Sequence, residues 1–550
     1  YNCDPHCMSN LAAILRDEAK VDVVARARHL HPQDDAIYAY PVVFMHGHFS
    51  FTYSDEQVEA LRKYLAENAH IAELIDFNDL PVFPDVSAYP CIVLTVKGGS
   101  GPTRYLRVPS LEFSSLSELV KKAAAELPPD AISGPDWRLM SAEEYAILEK
   151  MERVSIPLKA WLGEVEIRRG VLTGLNKAFF IDEETRARLI AADPKSTELI
   201  KPLVIGEDIK RYEIEYKGRY LIWTYVGVPI EDYPAIFNHL KQFQPELEKR
   251  WDKGDHWWEL RHCDYYADFE KPKIMYQEIA KFQAFAYDRN RLFCNNKVFI
   301  IPTDNTYLLA VLNASLIWLY LTSRVSKLHG DTFALQSIYV ERLPIRRISF
   351  TTPKEKLVRL MEKGKRLYQE FLKTKDPIPI LDLVERCLPK DDEGNFSQAE
   401  EKSDVVHDLL AFLAEQMIEL NKEKQAKIAE FLEWLEVELD VKPDRKGNTG
   451  IEALTGKTKL RNYLGDYQKD EEALSFDELW AILRKNKTRI ARNLSPSFMQ
   501  EVTRAYAESL SALLPIKEKL RLTDGLIDQI VYRLYGLTEE EVRIVEKEAT

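Results

Sequence analysis

The sequence changes character at Pro353, and this change restricts the possible folds more than any other feature. After it, apolar residues recur three and four positions apart, which is the spacing of one helix face. Residues 354–373 are predicted to form one helix. Residues 405–439 are predicted to form another, with apolar positions at Leu409, Phe412, Leu413, Met417 and Leu420. That length indicates an αα-hairpin or a coiled-coil arm. Further helices are predicted at residues 476–493, 497–514 and 524–536.

Before Pro353 the pattern is mixed, with short β-rich runs between polar helices. Strands are predicted at residues 40–45, 71–77 and 88–96, with an amphipathic helix at residues 55–68. Residues 114–160 are predicted to form a helical connector, because helical stretches alternate there with proline and glycine breaks. Residues 161–348 are again mixed α/β. A chain of 550 residues is long enough for about two to four domains.

The bulk composition excludes several classes of protein. No apolar run approaches the roughly 18 residues of a membrane-spanning helix. The most apolar segment, residues 307–321, is interrupted by Asn313 and Ser315 and is predicted to be a buried helix. Six scattered cysteines argue against a disulfide framework and favour a reducing cytoplasm. The net charge of −13 is unfavourable for nucleic-acid binding, but the acidic clusters lie late in the chain.

Residues 163–212 contain two short β-rich runs around a polar helix, with glycines at the tight turns and a basic, aromatic end at Gly206 to Tyr212. This segment resembles the TaqI-like target-recognition domain of adenine-specific DNA methyltransferases and of fused type IIG restriction–modification enzymes. The resemblance continues in the same order through Trp257-Trp258-Glu259-Leu260-Arg261, Lys271-Pro272-Lys273-Ile274 and Glu341-Arg342-Leu343-Pro344-Ile345.

The resemblance implies a fold class, α/β plus all-α, and an order of domains. Residues 1–113 would be the end of a Rossmann-like methyltransferase sheet, because residues 61–97 resemble the last strands of that catalytic domain. The connector at 114–160 would lead to the TaqI-like target-recognition domain at 161–348. A helical tail domain would occupy residues 349–550.

An N6-adenine methyltransferase needs a glycine-rich strand–turn for S-adenosyl-L-methionine and an Asn/Asp-Pro-Pro-Tyr/Phe turn for the flipped adenine. Neither motif is present: Leu127-Pro128-Pro129-Asp130 lacks the flanking Asn and aromatic, and Asp4-Pro5-His6 has one proline. The sequence therefore predicts no catalytic and no cofactor-binding residue in this chain, although the family implies S-adenosyl-L-methionine as cofactor. The chain begins Tyr-Asn-Cys-Asp-Pro without an initiator Met, so we expect a longer gene product.

Metal, nucleotide and nuclease sites are not predicted either. Cys3, His6 and Cys7 are close enough for half a metal site, but no second pair follows at zinc spacing. Gly456-Lys457-Thr458 ends like a phosphate-binding loop, yet its upstream glycine is one residue too far away. Pro443-Asp444 lacks the Glu-x-Lys partner of a nuclease site.

DNA-contact chemistry supplies the positive prediction. Arg, Lys, Asn and Gln read base edges, while Ser, Thr, Lys and backbone amides hold phosphates. The candidate DNA-binding residues lie where the family motif places loops: Asn176, Lys177, Lys210, Arg211, Arg261, Tyr265, Tyr266, Lys271 and Lys273.

Other readings apply to some of these residues and to their neighbours. Lys177, Lys210 and Arg211 could equally be solvated or ion-paired surface. In the same segments, Trp257, Trp258 and Leu260 are predicted to be core, Lys201 and Pro202 to set a turn, and Glu259 to pair with Arg261.

Three functions are compatible with these patterns. The first is the C-terminal part of a cytoplasmic adenine-specific DNA methyltransferase that reads double-stranded DNA within a restriction–modification system, with or without a fused nuclease. The second is a stand-alone specificity subunit that works with a catalytic methyltransferase or nuclease chain in trans. The third is a helical scaffold with an aromatic-rich ligand-binding domain and no DNA role, which the acidic total charge favours. The ordered succession of family-like segments favours the first.

Overall fold

The computed structural model describes residues 62–549, with gaps at 64, 66, 68, 78–79, 81, 83–89, 97–100, 128–130, 133–136, 138, 326, 329–331, 392, 398–399 and 446. Several predictions lie outside the described residues. They are the strand at 40–45, most of the helix at 55–68, the Cys and His residues of 3–7, and the prolines of 128–129.

The strands of the described residues are short. In chain order they are β1 His70–Asp76, β2 Cys91–Val96, β3 Thr103–Arg107, β4 Ala125–Leu127, β5 Ser155–Pro157, β6 Arg168–Arg169, β7 Phe180–Ile181, β8 Ile200–Val204, β9 Ile209–Lys210, β10 Glu213–Ile214, β11 Arg219–Ile222, β12 Lys273–Gln277, β13 Ile279–Ala280, β14 Phe285–Asp288, β15 Phe293–Cys294, β16 Val298–Ile301, β17 Lys327–Leu328, β18 Thr332–Ala334 and β19 Pro344–Arg346.

The helices become long after β19. In chain order they are α1 Leu116–Ala123, α2 Ala142–Arg153, α3 Leu158–Leu162, α4 Asn176–Phe179, α5 Glu183–Ala192, α6 Pro234–Lys241, α7 Gln244–Leu247, α8 Tyr266–Phe269, α9 Thr306–Asn313, α10 Ser315–Thr322, α11 Ser337–Val340, α12 Lys354–Thr374, α13 Ile378–Cys387, α14 Ser403–Leu439, α15 Lys457–Arg461, α16 Phe476–Lys485, α17 Pro496–Leu534 and α18 Glu539–Ala549.

The described residues divide into two compact units, and the first comprises those up to residue 154 together with those in 319–334 and 539–549. Its four-stranded sheet has the order β2-β1-β3-β4, in which β1 is parallel to β3 and the other pairs are antiparallel. Buried Ile75, Leu106 and Val120 form its core. The strands predicted at 71–77 and 88–96 are confirmed as β1 and β2. The predicted connector is only partly helical, because β4 joins this sheet.

The second unit, residues 155–318 and 335–538, begins with two four-stranded sheets. One has the order β15-β8-β11-β7, with β15 parallel to β8. The other, β14-β12-β16-β6, is antiparallel throughout. Leu203, Leu221 and Met275 from these sheets lie in one buried cluster with Leu260 and Phe293. This region is therefore mixed α/β, as its sequence predicts.

Two long helices, α14 and α17, organise the rest of the second unit and pack against each other. They share a second buried cluster with α15 and α16, to which Leu435, Trp480 and Val502 contribute. The prediction that the chain turns all-helical after residue 353 is confirmed. The chain thus combines mixed α/β sheets with a C-terminal helical region.

The apolar segment 307–321 is buried as predicted but forms two helices, α9 and α10. The Asn313 side chain accepts a hydrogen bond from the backbone N–H of Phe285 at 3.0 Å and donates to its carbonyl at 2.8 Å. Ser315 donates its backbone N–H and its hydroxyl to the Asp528 carboxylate at 2.8 and 2.7 Å. The two polar residues that interrupt the segment therefore end one helix and begin the next.

Candidate nucleic-acid interface

Residues 250–261, named here the Trp251 loop, are fastened to the turn that precedes α4. The Arg250 guanidinium donates to the carbonyl oxygens of Thr173, Trp257 (2.7 Å) and Glu259 (2.9 Å), and it lies 4.8 Å from the Phe179 ring centre. Burial lowers the pKa of Arg250 to about 10, so the side chain remains a cation at neutral pH. One buried cation thus holds the loop and the turn together.

Asn176 and Lys177 lie on α4, directly after this turn, and both are exposed. The Thr173 hydroxyl donates to Asn176 Oδ1 at 2.6 Å. Lys177 Nζ lies 2.7 Å from the Glu246 carboxylate, and the two side chains are 56% and 52% exposed. An exposed pair of this kind contributes about 0–1 kcal/mol, so a DNA phosphate can replace the carboxylate at little cost.

Arg261, Tyr265 and Tyr266 lie at the other end of the Trp251 loop and just beyond it. The Arg261 guanidinium is 3.8 Å from the Asp252 carboxylate. The backbone carbonyl of Arg261 accepts a hydrogen bond from the Tyr266 hydroxyl at 3.1 Å. The Tyr265 ring lies 4.9 Å from the Arg168 guanidinium. Burial raises the pKa of Tyr265 to about 12, so this phenol is a neutral donor at physiological pH.

Lys271 and Lys273 have opposite environments although they are two positions apart. Lys271 is exposed, with its ammonium 2.8 Å from the Asp268 carboxylate, which also lies 3.7 Å from Arg168. Lys273 is fully buried in β12, where its ammonium contacts the Asp288 carboxylate at 2.5 Å. Because Lys273 is buried, it cannot contact DNA, and its ammonium group is instead part of an ion pair inside the core.

Lys210 and Arg211 also differ in burial. Lys210 is exposed at the end of β9. Arg211 is buried, and its guanidinium donates to the Asp524 carboxylate of α17 at 2.7 Å. Because this ion pair fixes the α/β region to the helical region, Arg211 also leaves the set of candidate DNA contacts.

Six of the nine predicted residues remain exposed or half-buried, and they are named here the contact set: Asn176, Lys177, Arg261, Tyr265, Tyr266 and Lys271. Their contacts form three groups. Asn176, Arg261 and Tyr266 are linked through Thr173, Arg250 and Asp252. Tyr265 and Lys271 are linked through Arg168 and Asp268, and Lys177 pairs with Glu246.

A comparison with known families identifies this region. Residues 201–345 match the model of the TaqI-like C-terminal specificity domain. The chain carries a TaqI-like C-terminal specificity domain. Two further models match on either side, and both describe domains of unknown function: DUF4159 at residues 1–68 and DUF8810 at residues 403–531. The family that the sequence resembles is thereby confirmed.

Two curated relatives are type II methyltransferases. M.PaeR7I of Pseudomonas aeruginosa is 26% identical over 316 residues, which cover 52% of this chain and 52% of the relative. M.BstVI of Geobacillus stearothermophilus is 21% identical over 341 residues, covering 57% and 59%. The chain thus spans about half the length of the curated relatives it matches.

Two solved structures show a more distant similarity, at 13% sequence identity each. The type IIL restriction–modification enzyme MmeI in complex with DNA matches with a TM-score of 0.37, over 64% of this chain and 44% of that one. The type IIG restriction endonuclease BpuSI matches with a TM-score of 0.29, over 65% and 45%.

The fold of the specificity domain extends ahead of the matched residues. Strand β6 pairs with β16, and β7 pairs with β11, so both sheets are completed by residues before position 201. Gly170, next to β6, must be glycine because a Cβ there would lie 2.0 Å from the Asn295 carbonyl oxygen. The turn at Gly174 has a positive φ of 65°.

Several important residues of the specificity domain are not apparent from the sequence. Arg250 holds the Trp251 loop, but a buried arginine whose partners are backbone carbonyls leaves no sequence signal. Arg168 contacts Tyr265 and Asp268, and only its position inside the family-like segment 163–212 could have suggested a role.

Two smaller predictions about the specificity domain are wrong, and one is confirmed. Glu259 does not pair with Arg261, because its carboxylate accepts the backbone N–H groups of Gly227 and His256, both at 2.9 Å. Lys201 and Pro202 lie inside strand β8 and set no turn. Leu260 is fully buried, and Trp257 and Trp258 pack against the core, as predicted.

The described part of the chain contains no group of three His, Cys, Asp or Glu residues arranged to hold a metal ion. None of its helices is long and apolar enough to cross a membrane.

The described residues of the first sheet show no site for S-adenosyl-L-methionine. Asp76 ends β1, beside the parallel strand β3, and its carboxylate accepts a hydrogen bond from the Tyr105 hydroxyl at 3.4 Å within the same sheet. The described residues that follow β1 and β3 include Phe77 and Val108, which are buried in the core of this unit.

Proposed function

We propose that this chain is the DNA-recognition part of an adenine-specific (N6) DNA methyltransferase of a restriction–modification system. The observation that carries the proposal is the specificity domain at residues 201–345, together with relatives that are type II methyltransferases. The catalytic motifs and the S-adenosyl-L-methionine site would lie outside this chain. Because genomic DNA would be its target, we place the protein in the cytoplasm.

In this proposal double-stranded DNA lies against the contact set. Lys177, Arg261 and Lys271, which are all exposed, would exchange their carboxylate partners for phosphates, which would make binding strongly salt-dependent. Asn176 is suited to an adenine edge, because its amide can donate and accept at once. The exposed Lys210 would be an additional phosphate contact.

Sequence selection from a random duplex library tests the proposal. The purified 550-residue chain would be incubated with the library at about 0.1 M salt, and bound duplexes would be sequenced over several rounds. We expect one short sequence to be enriched, and its affinity to fall steeply as salt rises. Enrichment of no sequence over the starting pool would overturn the proposal.

The alternative, a stand-alone specificity subunit, predicts the same binding but a different activity. In both cases this chain alone would transfer no methyl group from S-adenosyl-L-methionine to the selected duplex. The alternative requires activity to appear when a separately encoded catalytic chain is added. The first proposal requires methyl-transfer activity only in a longer polypeptide that includes this 550-residue chain. Methyl transfer by the 550-residue chain itself would contradict both.

A further inference from the structure

Trp251 is an unusual residue of the specificity domain because its side chain is 98% exposed, more than any other large hydrophobic side chain among the described residues. The following tryptophans, Trp257 and Trp258, are packed against the core. An exposed indole contributes little to the stability of the fold, because it buries almost no apolar surface.

The residues on both sides of Trp251 are held in place. Arg250 donates to the carbonyl oxygen of Asp252 at 3.3 Å, in addition to its hydrogen bonds to Trp257 and Glu259. Lys253 Nζ donates to the Glu248 carbonyl at 2.7 Å. The exposed indole therefore lies close to two side chains, Arg250 and Lys253, that are hydrogen-bonded to backbone carbonyls.

The far side of the Trp251 loop is equally constrained. The Glu259 carboxylate, buried in the core, accepts the backbone N–H groups of Gly227 and His256. Gly254 packs so tightly that a Cβ there would lie 2.6 Å from Val226 Cγ2 and 2.7 Å from Glu259 Oε2. The protein thus presents the Trp251 side chain on a preorganised loop, which lowers the entropic cost of any contact it makes.

The surroundings of Trp251 favour a nucleic-acid base over a protein as its partner. Protein-binding sites surround an aromatic anchor with further apolar surface. Trp251 is instead followed by Asp252 and Lys253, and Asp252 lies 3.8 Å from Arg261 of the contact set. A single exposed planar ring beside charged residues can stack on the flat face of a base.

We propose that Trp251 stacks on a base of the DNA that the specificity domain binds, and that it enters the duplex as a wedge at one base step. The inference rests on the proposed function, since it requires that the chain binds DNA. It adds a stacking contact to the polar contacts of the contact set. Insertion of an aromatic side chain partly unstacks the step and kinks the duplex.

The test compares Trp251→Ala and Trp251→Phe with Val437→Ala, which also removes an exposed apolar side chain, 77% exposed on α14. Binding of the full chain to its selected duplex would be measured by fluorescence anisotropy. In a second measurement, 2-aminopurine is placed at successive positions of that duplex to report unstacking. We expect Trp251→Ala to weaken binding by about 5- to 100-fold, with Trp251→Phe within about threefold of wild type. The Val437→Ala control should bind like wild type.

The outcomes separate the two proposals. If wild type raises 2-aminopurine fluorescence at one step and Trp251→Ala does not, the stacking contact is established. If wild type binds its duplex but Trp251→Ala binds equally well with the same fluorescence profile, the stacking inference fails while the proposed function stands. If wild type selects no duplex, both fail. A change in the oligomeric state of Trp251→Ala without DNA would show that the indole faces a second protein copy, and it would also overturn the inference.

Discussion

At the residue scale, burial decides which of two neighbouring lysines belongs to the fold. Lys273 is fully buried against Asp288, while Lys271 is 59% exposed beside Asp268. We expect Lys273→Ala to lower the free energy of unfolding by about 3–5 kcal/mol, because it leaves the Asp288 carboxylate buried without its cation. Lys271→Ala should change it by no more than about 0.5 kcal/mol. Urea unfolding of the full chain measures both, and coincident midpoints would contradict the buried placement of Lys273.

The difference between these lysines could not be predicted from the sequence. The partner of Lys273 lies 15 positions away, and the partner of Arg211 lies 313 positions away. The family motif indicates where cations cluster, but it does not show which of them face the interior. For the same reason Arg250, the residue that holds the Trp251 loop, was not among the candidates.

At the element scale, two glycines differ in what a methyl group would meet. At Gly254, in the Trp251 loop, it would overlap Val226 and Glu259, so we expect Gly254→Ala to lower stability by about 1–3 kcal/mol. At Gly525, in α17, it would meet no atom within 4 Å, so we expect Gly525→Ala to raise stability by about 0.5–1 kcal/mol. Thermal unfolding of both variants checks the pair. A Gly254→Ala protein as stable as wild type would show that the loop is not tightly packed.

Prediction of the elements succeeded where one periodicity runs without interruption. Helices α12 and α14 begin and end within two residues of the predicted positions. Residues 497–514 and 524–536, predicted as two helices, form the single helix α17, which continues through Pro515. Pro515 itself is exposed, while Leu513, Ile516 and Leu520 around it are buried, so tertiary packing outweighs the local break. Helix α16 is predicted to continue to residue 493 but ends at Lys485. It ends there because the Asn486 side chain donates to the carbonyls of Ile482 and Thr455.

At the scale of the whole molecule, the α/β and helical regions of the second unit meet at a buried charge cluster. Asp524 contacts Arg211 and accepts a hydrogen bond from the Tyr467 hydroxyl at 3.3 Å, and the Asp528 carboxylate lies in the same cluster. Burial raises the pKa of Asp524 to about 6, although the Arg211 cation opposes this shift. The folded protein therefore keeps a proton on Asp524 up to about pH 6, whereas the unfolded chain releases it near the ordinary pKa of 3.8.

This raised pKa predicts a pH dependence of stability with a definite sign. Between about pH 4 and pH 6 the folded state binds more protons at Asp524, so this site loses stabilisation as the pH rises through that window. Asp524→Asn removes the titration. Its stability relative to wild type should therefore increase from pH 4 to pH 6.5, as measured by urea midpoints at each pH. The exposed Asp470→Asn serves as the control and should show no such trend; the same trend in both variants would refute the assignment.

Recognition of DNA by the contact set is the central claim at this scale, and a ratio of two dissociation constants tests it most directly. The Kd of the full chain for its selected duplex would be compared with the Kd for a scrambled duplex, at about 0.1 M salt. We expect a ratio of about 10³ or more for wild type and for Lys422→Ala, an exposed control on α14. The double variant Lys177→Ala/Arg261→Ala should bind the selected duplex at least about tenfold more weakly. Equal affinity of the wild-type chain for the two duplexes would contradict sequence recognition by this protein.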